Sequence, residues 1–254
     1  MRDNIVRAKL KRGEPVIGTM VTDFSSPAIA LLLADAGFDF FFIDMEHGVY
    51  DLETVATIIR VARLANIVPL VRVPDAEYHL IARALDAGAM GVMVPRVETR
   101  ETVERSVAAL RYPPVGERGC ATGRGNNDYI NAPPWEHTRH ANDNILAVMQ
   151  IERQAAIEKI DDLLSVPGVD VALIGPHDLT LSLGAPDPQD AMVQDAIQKV
   201  VDAAKRHGVA SGIHLRDAAQ VKAWQVRGMT MLTCSTEIDF IRSGARAVVE
   251  TLRR

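Results

Sequence analysis

The sequence predicts a single-domain closed (β/α)8 barrel of the TIM type, and three observations carry that prediction. Short apolar, β-rich runs alternate eight times with longer segments of helical periodicity, the pattern of a parallel sheet with helical crossovers. The runs are almost continuously apolar, as strands become when both faces are covered. The chain has 254 residues, close to the roughly 250 typical of such barrels.

In chain order the expected strands are 15–20, 38–44, 68–73, 91–97, 145–151, 169–174, 209–214 and 229–234. The expected helices are 27–36, 52–64, 77–87, 99–110, 155–164, 191–207, 218–227 and 237–252, each with an apolar face. Right-handed crossovers place every helix outside the strands. Gly37, Gly88, Gly168, Gly208 and Gly228 each follow a helix, where a left-handed cap is least strained. No linker or low-complexity segment divides residues 1–254.

One segment breaks the rhythm. Residues 112–144, rich in Gly, Pro, Asn and Arg, make a connection long enough to be expected as a lid or an interface. His137 and His140 within it read as solvated loop histidines.

Composition bounds the function. With 48% hydrophobic and 24% charged residues the chain is an ordinary globular protein. A formal charge of -5 leaves no footprint for nucleic acid. No apolar run reaches the roughly 18 residues that span a bilayer, and Met1-Arg2-Asp3-Asn4 is not a signal peptide, so no membrane partner and a cytoplasmic location are expected. The two cysteines, Cys120 and Cys234, read as free thiols.

The chemistry gathers at strand ends. In Phe38-Asp39-Phe40-Phe41-Phe42-Ile43-Asp44-Met45-Glu46-His47-Gly48 an apolar run stops at a cluster of acids and an imidazole, and in such barrels the carboxyl ends of the strands carry the active site. The third strand carries Arg72, the fifth ends in Gln150-Ile151-Glu152, and the sixth runs into Gly175-Pro176-His177-Asp178. Glu152 and Asp178, on neighbouring strand ends, suit a hard divalent cation that completes its shell with water or substrate oxygens; a salt bridge or a helix cap is the alternative. Arg72 in an apolar strand needs a partner, either a protein acid or a substrate carboxylate. His47 exchanges protons near neutral pH. Cation, arginine and histidine together equip a site to form an enolate beside a carboxylate. Lys9, Lys11, Lys159, Lys199, Lys205 and Lys222 all fall in helical or terminal stretches, which argues against a Schiff-base aldolase.

These motifs, with Val71-Arg72-Val73-Pro74, Ala84-Leu85-Asp86-Ala87-Gly88-Ala89, Val94-Pro95, Arg111-Tyr112-Pro113-Pro114, Gly116 and Arg118-Gly119, resemble in order and spacing the HpcH/HpaI aldolase family. The chain resembles the 4-hydroxy-2-oxoheptanedioate and 2-dehydro-3-deoxyglucarate aldolases in particular. The resemblance covers nearly the whole chain and implies a (β/α)8 barrel, a divalent metal (Mg, Mn or Co) and reversible cleavage of a 4-hydroxy-2-oxo acid to pyruvate and an aldehyde. It implies Glu152 and Asp178 as metal ligands, with Arg72 binding pyruvate and stabilising its enolate. It makes His47 the acid/base group, acting through water and paired with Asp86, and assigns the backbone of Gly175, Pro176, His177 and Asp178 to the pyruvate carboxylate. It also implies a homohexamer of swapped dimers, joined through 237–252. Asp86 falls near a helix end before Gly88, so pairing with His47 calls for an unusual loop or another subunit. Residues 123–127, Gly-Arg-Gly-Asn-Asn, depart from a more alanine-rich family segment, which bears on the aldehyde accepted. Two other functions fit less of the chain. A citrate-lyase-like acyl-CoA lyase needs a basic groove that only Arg118 and Arg124 suggest, and a silent oxo-acid-binding barrel is expected to have lost part of the constellation.

Overall fold

The structure is a computed structural model and describes residues 1–253. In chain order it contains α1 (Ile5–Lys11), β1 (Val16–Val21), α2 (Ala28–Asp35), β2 (Phe40–Asp44), α3 (Leu52–Leu64), β3 (Val68–Arg72), α4 (Tyr78–Asp86), β4 (Gly91–Val94) and α5 (Arg100–Leu110). Then follow α6 (Pro134–Asn144), β5 (Leu146–Ile151), α7 (Gln154–Glu158), α8 (Ile160–Leu164), β6 (Val171–Ile174), α9 (Pro176–Leu183), α10 (Ala191–His207), β7 (Ala210–Leu215), α11 (Ala218–Val226), β8 (Met231–Thr236) and α12 (Glu237–Arg253). The strands pair in parallel in sequence order, and β8 closes on β1. This is the (β/α)8 barrel that the alternation predicts. No described helix is long and apolar enough to cross a membrane.

Strand alternation sorts the core into two shells. Phe41, Ile43 and Val71 face outward and pack under the helices. Phe40, Phe42, Val68, Leu70, Val148 and Leu173 fill the interior, with the Phe40 and Phe42 rings edge-on at 5.5 Å. The next inward positions up the barrel are Asp44, Arg72 and Gln150, all buried and all lining a cavity. The barrel is therefore apolar below and polar in its top layer. Val6 and Leu10 of α1 join the interior cluster from beneath, and the Asn4 side chain donates to the Met90 carbonyl at 2.8 Å. That plug is too short to stand out by periodicity.

The 112–144 connection differs from its expected form. It contains a 3-10 turn, Gly125–Asn127, and helix α6, and it packs at the amino-terminal face of the barrel. Arg63 near the end of α3 donates to Asp128 at 2.8 Å, and Asn142 exchanges hydrogen bonds with the Tyr112 backbone. A connection from helix to strand necessarily lies opposite the mouth, so this segment is no lid over its own site. His137 is buried, not solvated, with its Nε2 3.1 Å from the Tyr112 hydroxyl. The apolar body of Tyr112 drew the ring inward. His140 is partly exposed and meets Asp3. Arg111 is also structural, binding the Ile145 carbonyl and Asp170 beneath the barrel.

Gly18 on β1 sits in register with Phe40, and a Cβ there would lie 2.3 Å from the Phe40 ring. Gly18→Ala should therefore destabilise the protein by about 1–3 kcal/mol, the usual range for overpacking a core. A urea titration checks this, and an unchanged midpoint would show that Phe40 repacks freely.

Candidate active site

Asp44 and Arg72 are direct neighbours across β2 and β3, and both point into the barrel. Arg72 Nε donates to Asp44 Oδ1 at 2.8 Å and Nη2 to Oδ2 at 2.6 Å, a bidentate pair. Arg72 Nη1 lies 3.2 Å from Glu46. Burial opposes the arginine's charge, but the Asp44 hydrogen bonds, followed by the charges of Asp44 and Glu46, outweigh it and raise its pKa. Of the two partners that the sequence allowed for Arg72, the protein acid is the one seen. Asp44 Oδ1 also accepts the Glu46 amide at 3.0 Å, so a single carboxylate fixes both the arginine and the turn that carries Glu46 and His47.

Glu152 is buried at the end of β5. Its Oε1 accepts the backbone N–H of Arg96 at 2.9 Å, and its Oε2 accepts a hydrogen bond from Gln150 Nε2. Arg96 has a left-handed backbone, φ 52°, unusual outside glycine; this turns its amide towards Glu152. Burial raises the Glu152 pKa to about 7, and the charges of Asp178 and Glu46 add to the rise. Gly175 permits this crowding, because a Cβ there would lie 2.5 Å from Glu152 Oε2. Asp178 follows in the first turn of α9. Two carboxylates that repel each other at a cavity edge fit a divalent cation. Among the described residues no cluster of three or more metal-ligating side chains occurs, so a cation here would draw further ligands from water or substrate.

A cavity of about 310 Å³ joins these groups, lined by Arg72, Asp44, Gln150, His47, Asp178 and His214 among others. Proline has no N–H, so at the start of α9 the amides of His177 and Asp178 are the first available to an anion at the mouth. His177 is exposed, Pro176 is buried and Gly175 is the residue before the helix. His47 is mostly exposed, with Nε2 3.8 Å from Glu46.

The structure thus brings together His47, Arg72, Glu152, Gly175, Pro176, His177 and Asp178, but not Asp86. Asp86 ends α4 on the face opposite the mouth and accepts a hydrogen bond from Arg118 at 2.6 Å. Within one chain it does not pair with His47, because a helix following a strand carries its last residue away from that strand's carboxyl end. Four further site groups went unassigned in the sequence: Asp44, which holds Arg72; Arg96, which holds Glu152; Gln150; and His214. The signal for His214 was available, since it stands two positions beyond Gly212 on an inward-facing strand column.

Residues 20–241 match the HpcH/HpaI aldolase/citrate lyase family. The chain belongs to that family. It is 33% identical to a hydroxypyruvate/pyruvate aldolase of Paraburkholderia phytofirmans over 98% of both chains. To a 5-keto-4-deoxy-D-glucarate aldolase of Salmonella arizonae it is 32% identical over 91% of this chain and 90% of that one. The crystal structure of an HpcH/HpaI aldolase from Desulfitobacterium hafniense superposes with a TM-score of 0.95 at 34% identity, covering 100% of this chain and 98% of that one. Membership in this aldolase and lyase family makes the protein a lyase.

The raised pKa of Glu152 has a consequence for stability. Its carboxyl titrates near 4.5 in the unfolded chain and at about 7 when folded, so its stabilisation is complete below pH 4.5 and is lost as pH rises through 7. The loss is on the order of 3 kcal/mol at most. Denaturant unfolding of cation-free protein from pH 4.5 to 8 should show this decline, and Glu152→Gln should flatten it. An equal slope in the variant would assign the decline to other groups.

Proposed function

We propose that the protein is a divalent-metal-dependent aldolase that reversibly cleaves a 4-hydroxy-2-oxo acid to pyruvate, or a closely related 2-oxo acid, and an aldehyde. One observation carries the reading: Asp178, whose charge helps raise the pKa of the buried Glu152, lines the same cavity as an arginine whose charge Asp44 holds in place. The names of the relatives, an oxo-acid aldolase in each case, support it.

In this reading the substrate carboxylate lies against the amides of His177 and Asp178. A divalent cation held by Glu152 and Asp178 would polarise the 2-keto oxygen. Cleavage removes the C4 hydroxyl proton and breaks the C3–C4 bond. The electron pair passes through C3 to the C2 oxygen, and Arg72 donates to the negative charge that develops there. His47, acting through water, takes the hydroxyl proton and returns one to C3. Asp86 fits the pairing with His47 only if it comes from a neighbouring copy. It sits on the partly exposed edge of its helix, where such a contact is open to it.

The last helix supports a homo-oligomer, and we infer the hexamer that the resemblance implies, working in the cytoplasm. Of the seventeen residues of α12 only Glu237 is buried, while Phe240, Ile241, Val248, Val249 and Leu252 are exposed. A second copy of this chain is the occupant that fits this face. The thioester-lyase reading loses support, since Arg118 is buried against Asp86 and Tyr112 and is not free to meet CoA phosphates.

Cation-free protein should release no pyruvate from a panel of 4-hydroxy-2-oxo acids, and Mg or Mn should restore release. Arg72→Ala should lower kcat by about 10²–10³-fold, the usual loss for an oxyanion donor, and full activity in that variant would sink the assignment. For the assembly, light scattering should give a multiple of 27.7 kDa, and Ile241→Lys with Leu252→Lys should shift it towards the single chain. An unaltered mass would move the interface elsewhere.

A further inference from the structure

Arg96 stands in a backbone conformation that its residue type does not favour. It follows Pro95 beyond the end of β4 with φ 52°, in the left-handed region that residues other than Gly, Asn and Asp seldom adopt. Such a residue persists where its surroundings over-determine it, and functional sites are where these residues gather. Here the determining contacts are on the side chain. Arg96 Nη2 donates to the Pro74 carbonyl at 2.6 Å, and Nε lies 3.4 Å from Glu46 Oε1. Pro74 follows β3 and Glu46 follows β2, so the rigid guanidinium fork grips the ends of two other strands while its own backbone stays with β4. Asp75, 3.7 Å from Nη2 and mostly exposed, adds little.

The left-handed turn aims the Arg96 amide at Glu152 Oε1, 2.9 Å away. The other oxygen of Glu46 faces Arg72 Nη1 at 3.2 Å. One residue therefore joins the two halves of the site. Contacts run from Glu152 to the Arg96 amide, from the Arg96 guanidinium to Glu46, and from Glu46 to Arg72. Outer groups that hydrogen-bond a ligating carboxylate fix its orientation, and losing one typically costs about 10–100-fold in metal affinity or activity. The arginine's charge acts in the opposite sense, because a guanidinium near a cation site repels the cation. The two effects can be told apart by their sign.

Resting on the aldolase reading, in which Glu152 holds a divalent cation, we propose that Arg96 is a positioning residue: its clamp on Pro74 and Glu46 holds the left-handed turn that presents the Arg96 amide to Glu152, and so tightens the cation site. A glycine would adopt the same turn without strain. It would not tie that turn to Glu46, and through Glu46 to Arg72.

Calorimetric titration of cation-free protein with Mn2+ tests this without turnover. Wild type should bind Mn2+, and Glu152→Gln should abolish that binding. Arg96→Ala should weaken it about 10–100-fold, and Arg96→Lys, which keeps the charge but not the fork, should weaken it nearly as much. Arg96→Gly should bind roughly fivefold more tightly than Arg96→Ala, since it escapes the strain that alanine meets in the left-handed region. Unchanged binding stoichiometry shows that each variant is folded, and should Arg96→Ala not fold, the Lys and Gly variants carry the same comparison with wild type. Affinity in Arg96→Ala equal to or tighter than that of wild type overturns the proposal in favour of a charge effect, and so does wild-type affinity in Arg96→Lys. Arg96→Gly binding no more tightly than Arg96→Ala overturns the role of the turn. Wild type that binds no Mn2+, or Glu152→Gln that binds it equally well, overturns the metal-dependent reading itself.

Discussion

The ion pair between Asp44 and Arg72 is the constraint on which the site depends. Two opposite charges taken out of water gain little net stability from each other, but removing one partner strands the other at a cost of about 3–5 kcal/mol. The pair therefore acts less as a source of stability than as a lock. It stands directly across two strands of a closed sheet, so neither partner can move without moving the barrel. Through the Glu46 amide it also fixes the turn that carries His47. An arginine held this way presents its charge to the cavity with no reorganisation of its own, the condition from which most electrostatic catalysis originates.

The same logic explains the layering. Phe40, Phe42, Leu70 and Val148 leave no room for water in the lower barrel, which lowers the local dielectric for the groups above them. Burial is then what pushes Glu152 up and His214 down. Both shifts favour neutral forms, and a cation beside Glu152 would restore its charge. The site thus keeps buried, polar groups around the cavity that Asp44, Arg72, Gln150 and His214 line.

The barrel was legible because its signals are local. Eight apolar runs and their glycine caps mark strands and helix ends, and all eight strands form in the expected order. The residues at strand ends were legible for the same reason, since topology alone delivers Arg72, Glu152 and Asp178 to one mouth. What escaped depends on contacts between distant segments. The plug α1 is a seven-residue helix recognisable only against the interior that it seals. His137 looked solvated in a polar segment until Tyr112 covered it. Arg96 reaches Glu152 through a backbone conformation that its own sequence does not advertise. His214 lay in plain view at a strand end, and parity would have placed it inward.

Asp86 has no role at the mouth of its own chain. Its motif resembles a family whose acid/base histidine is paired, yet topology sends the two residues to opposite ends of one barrel. His47 meanwhile stands largely in solvent with only a distant carboxylate nearby, a poor setting for directed proton transfer. Two features of the same molecule answer this. The long connection, which exposes Tyr129, Ile130 and Trp135, lies beside the end of α4 on the far face, and α12 projects an apolar face that its own barrel does not cover. If copies assemble through α12 so that the far face of one meets the mouth of another, Asp86 gains its histidine and His47 loses its water. Residues 123–127 would then border a neighbour's cavity, which reconciles their place beneath one barrel with a part in choosing the aldehyde for the next.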